Sequence, residues 1–278
     1  MKLCLGTKGE RKNYIYSVNK SLRTYSSQEI LSKKEVAEEV VSVWNSNEEG
    51  SVDIHIQERR LDGKKISSNR MEQYFRKMAE ATDEVSFLLS QEGEIGALGN
   101  YSAIRENWEN CKICLDACFT GEKNVTDVIQ SIIRKSDSIF DDESGLLRML
   151  RRNMFFRYLL HGYYRDYGES NDYFCNREIP NFLGDAQSIM DEYWQISEEN
   201  GFFKMLMTGS LNHEKSDMAA IRSYLGSENR EDICLDVDLK GECVFDQEGI
   251  PFKIDVCVKA NYENLKFGKE VNLSVNRK

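Results

Sequence analysis

The sequence predicts an α+β protein in which a small α/β unit at each end flanks a central helical region. Three observations support this prediction. Helical and alternating strand patterns recur in both ends of the chain, the longest helical pattern lies in the middle, and the two ends share a rhythm of elements. The corresponding divisions are 1–100, 101–200 and 201–278, and they also fit one continuous domain.

The first third is predicted to alternate strands with helices. NYIYSV is typical of a strand, and SVDIHIQE alternates Val52, Ile54 and Ile56 with polar residues, as a half-buried strand does. EVSFLLSQEGEIGAL predicts a hairpin that turns at Glu92-Gly93.

Two helices are predicted between these strands. SKKEVAEEVVSVWN places four apolar residues on one helical face: Val36, Val40, Val43 and Trp44. NRMEQYFRKMAEA does the same with three inward residues: Met71, Phe75 and Met78.

The middle third is predicted to be helical and the last third to return to strands. SGLLRMLRRNMFFRYLLHGYYRDY is the strongest helical run, and the acidic residues Asp141, Asp142 and Glu143 before it favour a helix N-terminus. In the last third, KSDMAAIRSYLG predicts a helix. The strands there are predicted in GFFKMLMTGSL, DICLDVDL, ECVFDQEGIPFKIDVCVKA and KEVNLSVNR.

The two ends have similar patterns. VVSVWNSNEEGSVDIHI and IRSYLGSENREDICLDV both predict a helix, a polar turn and a strand, and both ends contain a strand interrupted at Gln-Glu-Gly. An internal duplication of a small α/β unit explains this likeness. Chance explains it equally well, because turns reuse the same few residues.

Charge and hydropathy restrict the partners and the compartment. The formal net charge of −10 disfavours general nucleic-acid binding and docking on anionic membranes. The N-terminal apolar run is too short for a secretory signal, and no stretch approaches the roughly 18 apolar residues of a membrane span. We therefore expect a cytoplasmic, acidic protein whose eight cysteines are reduced thiols.

The run NCKICLDACF contains Cys111, Cys114 and Cys118 and raises the question of a metal cluster. On a helix, however, an apolar stripe of Ile104, Trp108, Cys111, Leu115 and Cys118 recurs at spacings of three and four. No second cysteine pair or nearby histidine completes a ligand set. The pattern predicts a core-facing helix with unmetallated thiols.

The stretch 203–258 resembles the nucleotidyltransferases, in which a strand ends in Gly-Ser and later strands carry Asp-x-Asp and a third carboxylate. The matching residues are Gly209, Ser210, Asp236, Asp238 and Asp255. Carboxylates two apart on a strand point the same way, and the resemblance implies that they hold Mg²⁺ for phosphoryl transfer. The separation between Gly-Ser and Asp-x-Asp is larger than in that family.

The same carboxylates also fit an ordinary solvent-facing strand. In ICLDVDLK, Leu235, Val237 and Leu239 alternate with Asp236 and Asp238, as they do when one face is buried and the other hydrated. This interpretation requires no cofactor and no metal, and the location of the three carboxyl groups in the fold distinguishes the two.

A wider resemblance covers much of the chain. VSFLLSQEGEIGALGNYSAIRENW, followed by LLRMLRRNMFFRYLLHGYY and a strand-rich tail, is similar to a group of uncharacterised cytosolic bacterial proteins of the Bacteroidota. The resemblance implies a shared α+β fold and supplies no activity.

Two functional hypotheses follow. The first is a non-enzymatic protein-binding module, such as an adaptor, a chaperone or an immunity-type inhibitor, and the second is the Mg²⁺-dependent nucleotidyltransferase. Catalytic motifs are missing, and YLLHGYYRDYGESNDYF is rich in aromatic residues, which favours the first. Its candidate contact residues are Tyr163, Tyr164, Tyr167 and Tyr173. The alternative is that these rings cover the edge of the core.

Overall fold

One antiparallel sheet of 11 strands, with helices packed against it, dominates the fold. The computed structural model describes residues 11–27, 29–45, 50–64, 70–90, 94–119, 123–162, 167, 169–180, 182–226, 234–263 and 267–278.

The described elements follow one another as two strand-rich segments separated by helices. The strands are β1 (Arg11–Ser26), β2 (Glu29–Asn45), β3 (Ser51–Leu61), β4 (Glu84–Leu89), β5 (Ile95–Leu98), β6 (Asp172–Ile179), β7 (Ser188–Glu199), β8 (Phe202–Leu211), β9 (Leu235–Phe245), β10 (Pro251–Tyr262) and β11 (Phe267–Arg277). The helices are α1 (Arg70–Ala79), α2 (Tyr101–Phe119), α3 (Lys123–Phe140), α4 (Glu143–Arg152), α5 (Met154–Leu159) and α6 (Met218–Tyr224).

The path of the chain explains why the helices lie between the two edges of the sheet. The strand order is β5-β4-β3-β2-β1-β11-β10-β9-β8-β7-β6, with every described pair antiparallel. The chain starts at the centre with β1 and runs outward to the edge strand β5. Helices α2 to α5 then carry it to the opposite edge, β6, from which it returns strand by strand to the centre.

Helix α5 packs against strands from both halves of the sheet. Phe156 of α5 contacts Phe87 of β4 at 5.1 Å between ring centroids, and Tyr158 contacts Trp194 of β7 at 6.1 Å. Strands β4 and β7 are each second from an edge, so both halves of the sheet reach the same short helix. Fully burying aromatic side chains of this size stabilises the fold by roughly 1.5–3 kcal/mol each.

The predicted α+β architecture with a central helical region is wrong. Strands from residues 11–98 and from residues 172–277 form one continuous sheet, and α2 to α5 pack against it as its insertion. The segment VVSVWN is a strand in the first of the two ends, so the helix–turn–strand unit required for the duplication occurs in only one of them.

The largest error concerns β2, which was predicted as a helix. Val36, Val40 and Trp44 are spaced by four residues, and a spacing of four keeps residues together on a helix and also on one face of a strand. Val43, the fourth member of the predicted face, lies on the opposite face of β2. Pairing with β1 on one side and β3 on the other decides in favour of the strand.

Strands β6 and β7 were likewise placed in the helical region. In β7 the apolar residues come in pairs four apart, Ile189-Met190 and Tyr193-Trp194, which imitates a helical stripe. The alternation of apolar and polar residues that is typical of a strand is interrupted in β7, because the charged residue Glu192 occupies a position that faces the core.

Other predictions are confirmed with small changes. Asp142 caps α4 by accepting from the backbone N–H groups of Ser144 and Gly145. The long predicted helix is broken at Asn153, whose side chain caps α5. In α1 the predicted inward face is wrong at Phe75, which is 53% exposed, because Tyr74 is the buried ring; the side chain of Met71 lies outside the described residues. The β4–β5 pairing confirms the hairpin, and its turn at Glu92-Gly93 lies outside the described residues.

Strands β1, β3, β8, β9, β10 and β11 and helix α6 are found where the sequence predicts them.

Candidate functional site

The carboxylates of the nucleotidyltransferase hypothesis lie on the outer face of the sheet. Asp236 and Asp238 are exposed on β9, and Asp238 is paired in register with Lys259 of β10. Asp255 lies four residues before Lys259, roughly 13 Å along the strand, and it forms an ion pair with Lys253 at 2.7 Å. A sheet surface with this register does not bring three carboxylates to one metal ion.

Gly209 and Ser210 have a structural setting in β8. Ser210 is the register partner of Asp238 and of Asp191, so it belongs to the ladder of the sheet. A Cβ atom on Gly209 would lie 2.7 Å from the carbonyl oxygen of Asp191. The glycine therefore permits the close approach of β7 and β8.

The cysteine stripe fills the core as predicted in its described part. Ile104, Trp108, Cys111 and Leu115 are all buried on α2, and Cys114 is exposed on the other side of the helix. Burial raises the pKa of the Cys111 thiol, which favours its protonated form. The side chain of Cys118 lies outside the described residues.

The tyrosine cluster is divided between core and surface. Tyr167 is 2% exposed, and its hydroxyl donates to the carbonyl oxygen of Gly162 at 3.1 Å. Tyr173 is half-buried against the core, whereas its neighbour Phe174 is 58% exposed. Tyr163 and Tyr164 lie outside the described residues.

The two edges of the sheet approach each other at a seam that arginines from α4 and α5 bridge. Arg151 donates through Nε to the carbonyl oxygen of Ile95 on β5 at 2.8 Å. Arg157 donates through Nη2 to the carbonyl oxygen of Glu178 on β6 at 2.6 Å. Arg152 forms an ion pair with the Glu178 side chain. Side-chain donors thus replace part of the hydrogen bonding that would close the sheet.

A cavity of about 330 Å³ opens at this seam. That volume is at the lower end of the range of ligand pockets. Its charged and polar lining comes from both sides and includes Glu94, Arg151, Arg157, His161, Arg177 and Glu178.

Behind the cavity lies a buried ion pair between β6 and β7. Arg177 Nε is 3.4 Å from Oε2 of Glu192, a side chain with no solvent exposure. The same carboxylate oxygen accepts from Nε1 of Trp194 at 3.1 Å. Arg177 Nη2 also contacts Nδ1 of His161, which must accept because a guanidinium only donates. Both Arg177 and His161 lie against the Trp194 ring.

This cluster is incompletely hydrogen-bonded. Three buried polar atoms in it have no hydrogen-bond partner among the described residues: Arg157 Nη1, Tyr158 Oη and Glu192 Oε1. Buried polar groups in proteins are nearly always satisfied, by water or a ligand if not by protein. Of these three residues Arg157 is the one that lines the cavity, so its donor is the one that a polar guest at the seam would gain.

The protonation states of the cluster are set by burial and by the ion pair. Burial lowers the pKa of Arg177, but Glu192 and the neighbouring Cys175 and Tyr158 together outweigh it, so the pKa lies above its ordinary value and the guanidinium stays charged. Burial, assisted by the Glu192 charge, raises the pKa of the Cys175 thiol despite the opposing effect of Arg177. A neutral thiol and a charged guanidinium therefore line the cavity.

Strand β6 presents backbone groups to the seam. The N–H of Ile196 donates to the carbonyl oxygen of Asn171, which sets the hydrogen-bonded pairs with β7 at the odd-numbered residues. The even-numbered residues Phe174, Asn176 and Glu178 then direct their N–H and C=O groups away from β7. The Arg157 bond to the Glu178 carbonyl agrees with this assignment.

Sequence reasoning did not find these residues. Arg151, Arg152 and His161 lie in the long run that predicts a helix, and no motif there marks them as site residues. The only available signal was a charged residue, Glu192, inside an otherwise apolar alternation of β7. A buried carboxylate implies a buried partner, although the sequence does not say which.

Comparisons with known proteins give a likeness to solved structures, without a matching family. No protein-family model and no curated protein matches the chain. A solved structure described as lipid-protein interactions in lipovitellin is similar, with a TM-score of 0.45 and 9% sequence identity. The match covers 98% of this chain, which spans 25% of the length of the lipovitellin chain.

None of the helices in the described part of the chain is long and apolar enough to cross a membrane.

Proposed function

We propose that this chain is a protein-binding module that receives an extended segment of another protein along the free edge of β6. The observation that carries the proposal is the direction of the β6 backbone. Phe174 and Asn176 turn their N–H and C=O groups toward the seam, and among the described strands β6 is paired only with β7. Such an edge is a template for strand addition.

The geometry of the seam leaves space for such a segment. Tyr173 and residues 175–178 line the cavity from one side, and Glu94 and Ile95 line it from the other. The Glu178 carbonyl is taken by Arg157, so the groups that remain for a partner belong to Phe174 and Asn176. A segment of about five residues spans this length of strand.

Binding through main-chain hydrogen bonds is tested by removing one N–H group. Asn176→Pro deletes the N–H that faces the seam and leaves the bonds to β7 in place, because proline is tolerated at such edge positions. Asn176→Ala is the matched control, since both variants lose the side-chain contacts of Asn176 with Asp191 and Lys215. Only the proline variant also loses the N–H.

The probe is a peptide selected from a phage-displayed library of random dodecapeptides on the wild-type protein. By fluorescence anisotropy, we expect Asn176→Ala to bind it nearly as well as the wild type and Asn176→Pro to bind at least about tenfold more weakly. Enrichment of no peptide, or equal binding to all three proteins, overturns the proposal. Should Asn176→Pro fail to fold, Phe174→Pro with Phe174→Ala as its control makes the same test.

A further inference from the structure

The guanidinium groups at the seam differ in how far they are neutralised. Arg177 is paired with Glu192, and Arg152 is paired with Glu178. Arg157 bonds to backbone carbonyls and has no carboxylate partner in the described part of the chain. Positive charge is therefore left at the cavity wall of a protein whose net charge is −10.

Arg157 also has an unused donor. Its Nη1 is buried and has no hydrogen-bond partner among the described residues, while Nη2 is held on the Glu178 carbonyl oxygen. With Nη2 fixed on the edge of β6, the guanidinium lies beside the path of an added strand. An anionic side chain on that strand would meet the positive charge of Arg157, and it would gain the buried Nη1 donor once the guanidinium turns toward it.

We propose that the segment bound along β6 carries an aspartate or glutamate side chain, and that its carboxylate accepts a hydrogen bond from Nη1 of Arg157 inside the seam. This inference rests on the proposed function and names the chemistry of its partner. Arg151 lies on the opposite wall and adds positive charge, although its own donors are held by the carbonyls of Ile95 and Gly96.

A single carboxylate fits this site better than a phosphate group. The cavity is small, and Glu94 and Glu178 contribute negative charge to its wall. A phosphate dianion would face these two carboxylates with only Arg151 and Arg157 left unpaired by acidic groups among the described side chains. The single negative charge of a carboxylate, added to that of Glu94, balances the two positive charges of Arg151 and Arg157.

The test compares peptides that differ only in charge. The selected peptide is synthesised with each acidic residue as it stands, with glutamine or asparagine in its place, and with phosphoserine in its place. Binding is measured to the wild type, to Arg157→Gln and to Arg148→Gln. Arg148 is exposed on the preceding helix and is not among the residues that line this cavity, so its variant changes the net charge equally without altering the cavity wall.

We expect one acidic residue of the peptide to contribute to its affinity for the wild-type protein. Neutralising it should weaken binding to the wild type and to Arg148→Gln by about tenfold, and binding to Arg157→Gln by less than about twofold. Phosphoserine at that position should bind no better than the carboxylate. If Arg157→Gln does not fold, the advantage of the acidic peptide on the wild type should shrink between low and high salt.

The outcomes separate the two proposals. Enrichment of no peptide at all removes the proposed function. Selected peptides without an acidic residue, an equal effect of neutralisation on Arg157→Gln, or tighter binding of phosphoserine would each overturn the carboxylate inference and leave strand addition intact.

Discussion

Two buried carboxylates in the two halves of the sheet have very different surroundings. Glu38, inward on β2, forms ion pairs with Lys20 at 2.8 Å through Oε2 and with Arg59 at 2.6 Å through Oε1. Arg59 also forms an ion pair with Asp83 at 2.9 Å. Glu192, inward on β7, has one cation at 3.4 Å and one oxygen without a hydrogen-bond partner among the described residues.

The comparison shows how a structural charge cluster differs from a candidate binding site. At Glu38 both oxygens accept from cations, so this carboxylate is satisfied within the protein and stabilises the fold, although Oδ1 of the neighbouring Asp83 has no hydrogen-bond partner among the described residues. At the seam, Glu192 and Arg157 each keep an unused polar atom beside a cavity. The unused hydrogen-bonding capacity is what a partner could use.

The largest loss of stability should follow from breaking the ion pairs around Glu38. Arg59→Met leaves the buried Glu38 with Lys20 as its remaining cation and removes the ion pair of the partly buried Asp83. We expect a loss of about 3–5 kcal/mol in the free energy of unfolding, the usual cost of removing one partner of a buried pair. Urea denaturation measures it. The exposed neighbour Arg60 is the control, and Arg60→Met should cost less than about 1 kcal/mol. Equal costs would show that burial of the network is unimportant.

Neutralising the two carboxylates compares the clusters directly. Glu38→Gln leaves two cations facing an uncharged amide, and we expect it to cost about 3 kcal/mol. Glu192→Gln affects one longer ion pair, and its amide oxygen can still accept from Trp194, so we expect a smaller cost of about 2 kcal/mol. Urea unfolding of the two variants under the same conditions gives the difference. A larger loss for Glu192→Gln would contradict the view that the seam network is incomplete.

The pH dependence of stability should show the Glu38 network as well. Burial alone raises the pKa of Glu38, but Lys20 and Arg59 outweigh it and hold the pKa below its ordinary value. The folded protein then binds this proton less readily than the unfolded chain does. The stabilisation is complete above the unfolded pKa of about 4.3 and is lost as the pH falls through the folded pKa.

The wild type should therefore lose about 1 kcal/mol more stability than Glu38→Gln as the pH falls below that unfolded value. Glu39→Gln, at the more exposed neighbouring position, should follow the wild type. Parallel curves for wild type and Glu38→Gln would show that the carboxylate makes no such contribution.

The sequence predicts the fold wherever apolar residues have only one periodicity. The alternation of Val52, Ile54 and Ile56 located β3, and the strands of the last third were found in the same way. At β2 and β7 a spacing of four satisfied helix and strand alike, and long-range pairing decided. The number of strands in one sheet depends on which strands pair, and a local pattern does not contain that information.

The candidate site was less predictable than the fold. Arg157, Arg177 and Glu192 come from α5, β6 and β7, and they meet because two sheet edges approach each other around a helix. No local motif joins them. Asp236 and Asp238 show the reverse case, because a local motif was visible and the register of β9 and β10 separates it from Asp255.

The most direct test of the account is amide hydrogen exchange of β6, measured residue by residue by NMR with and without the selected peptide. The account predicts that the N–H groups of Phe174 and Asn176 exchange quickly in the free protein and become protected by at least about tenfold on binding. Those of Tyr173 and Cys175, already bonded to β7, should change little. Unchanged exchange at Phe174 and Asn176 in the saturated complex would contradict the claim that a partner adds to the edge of β6.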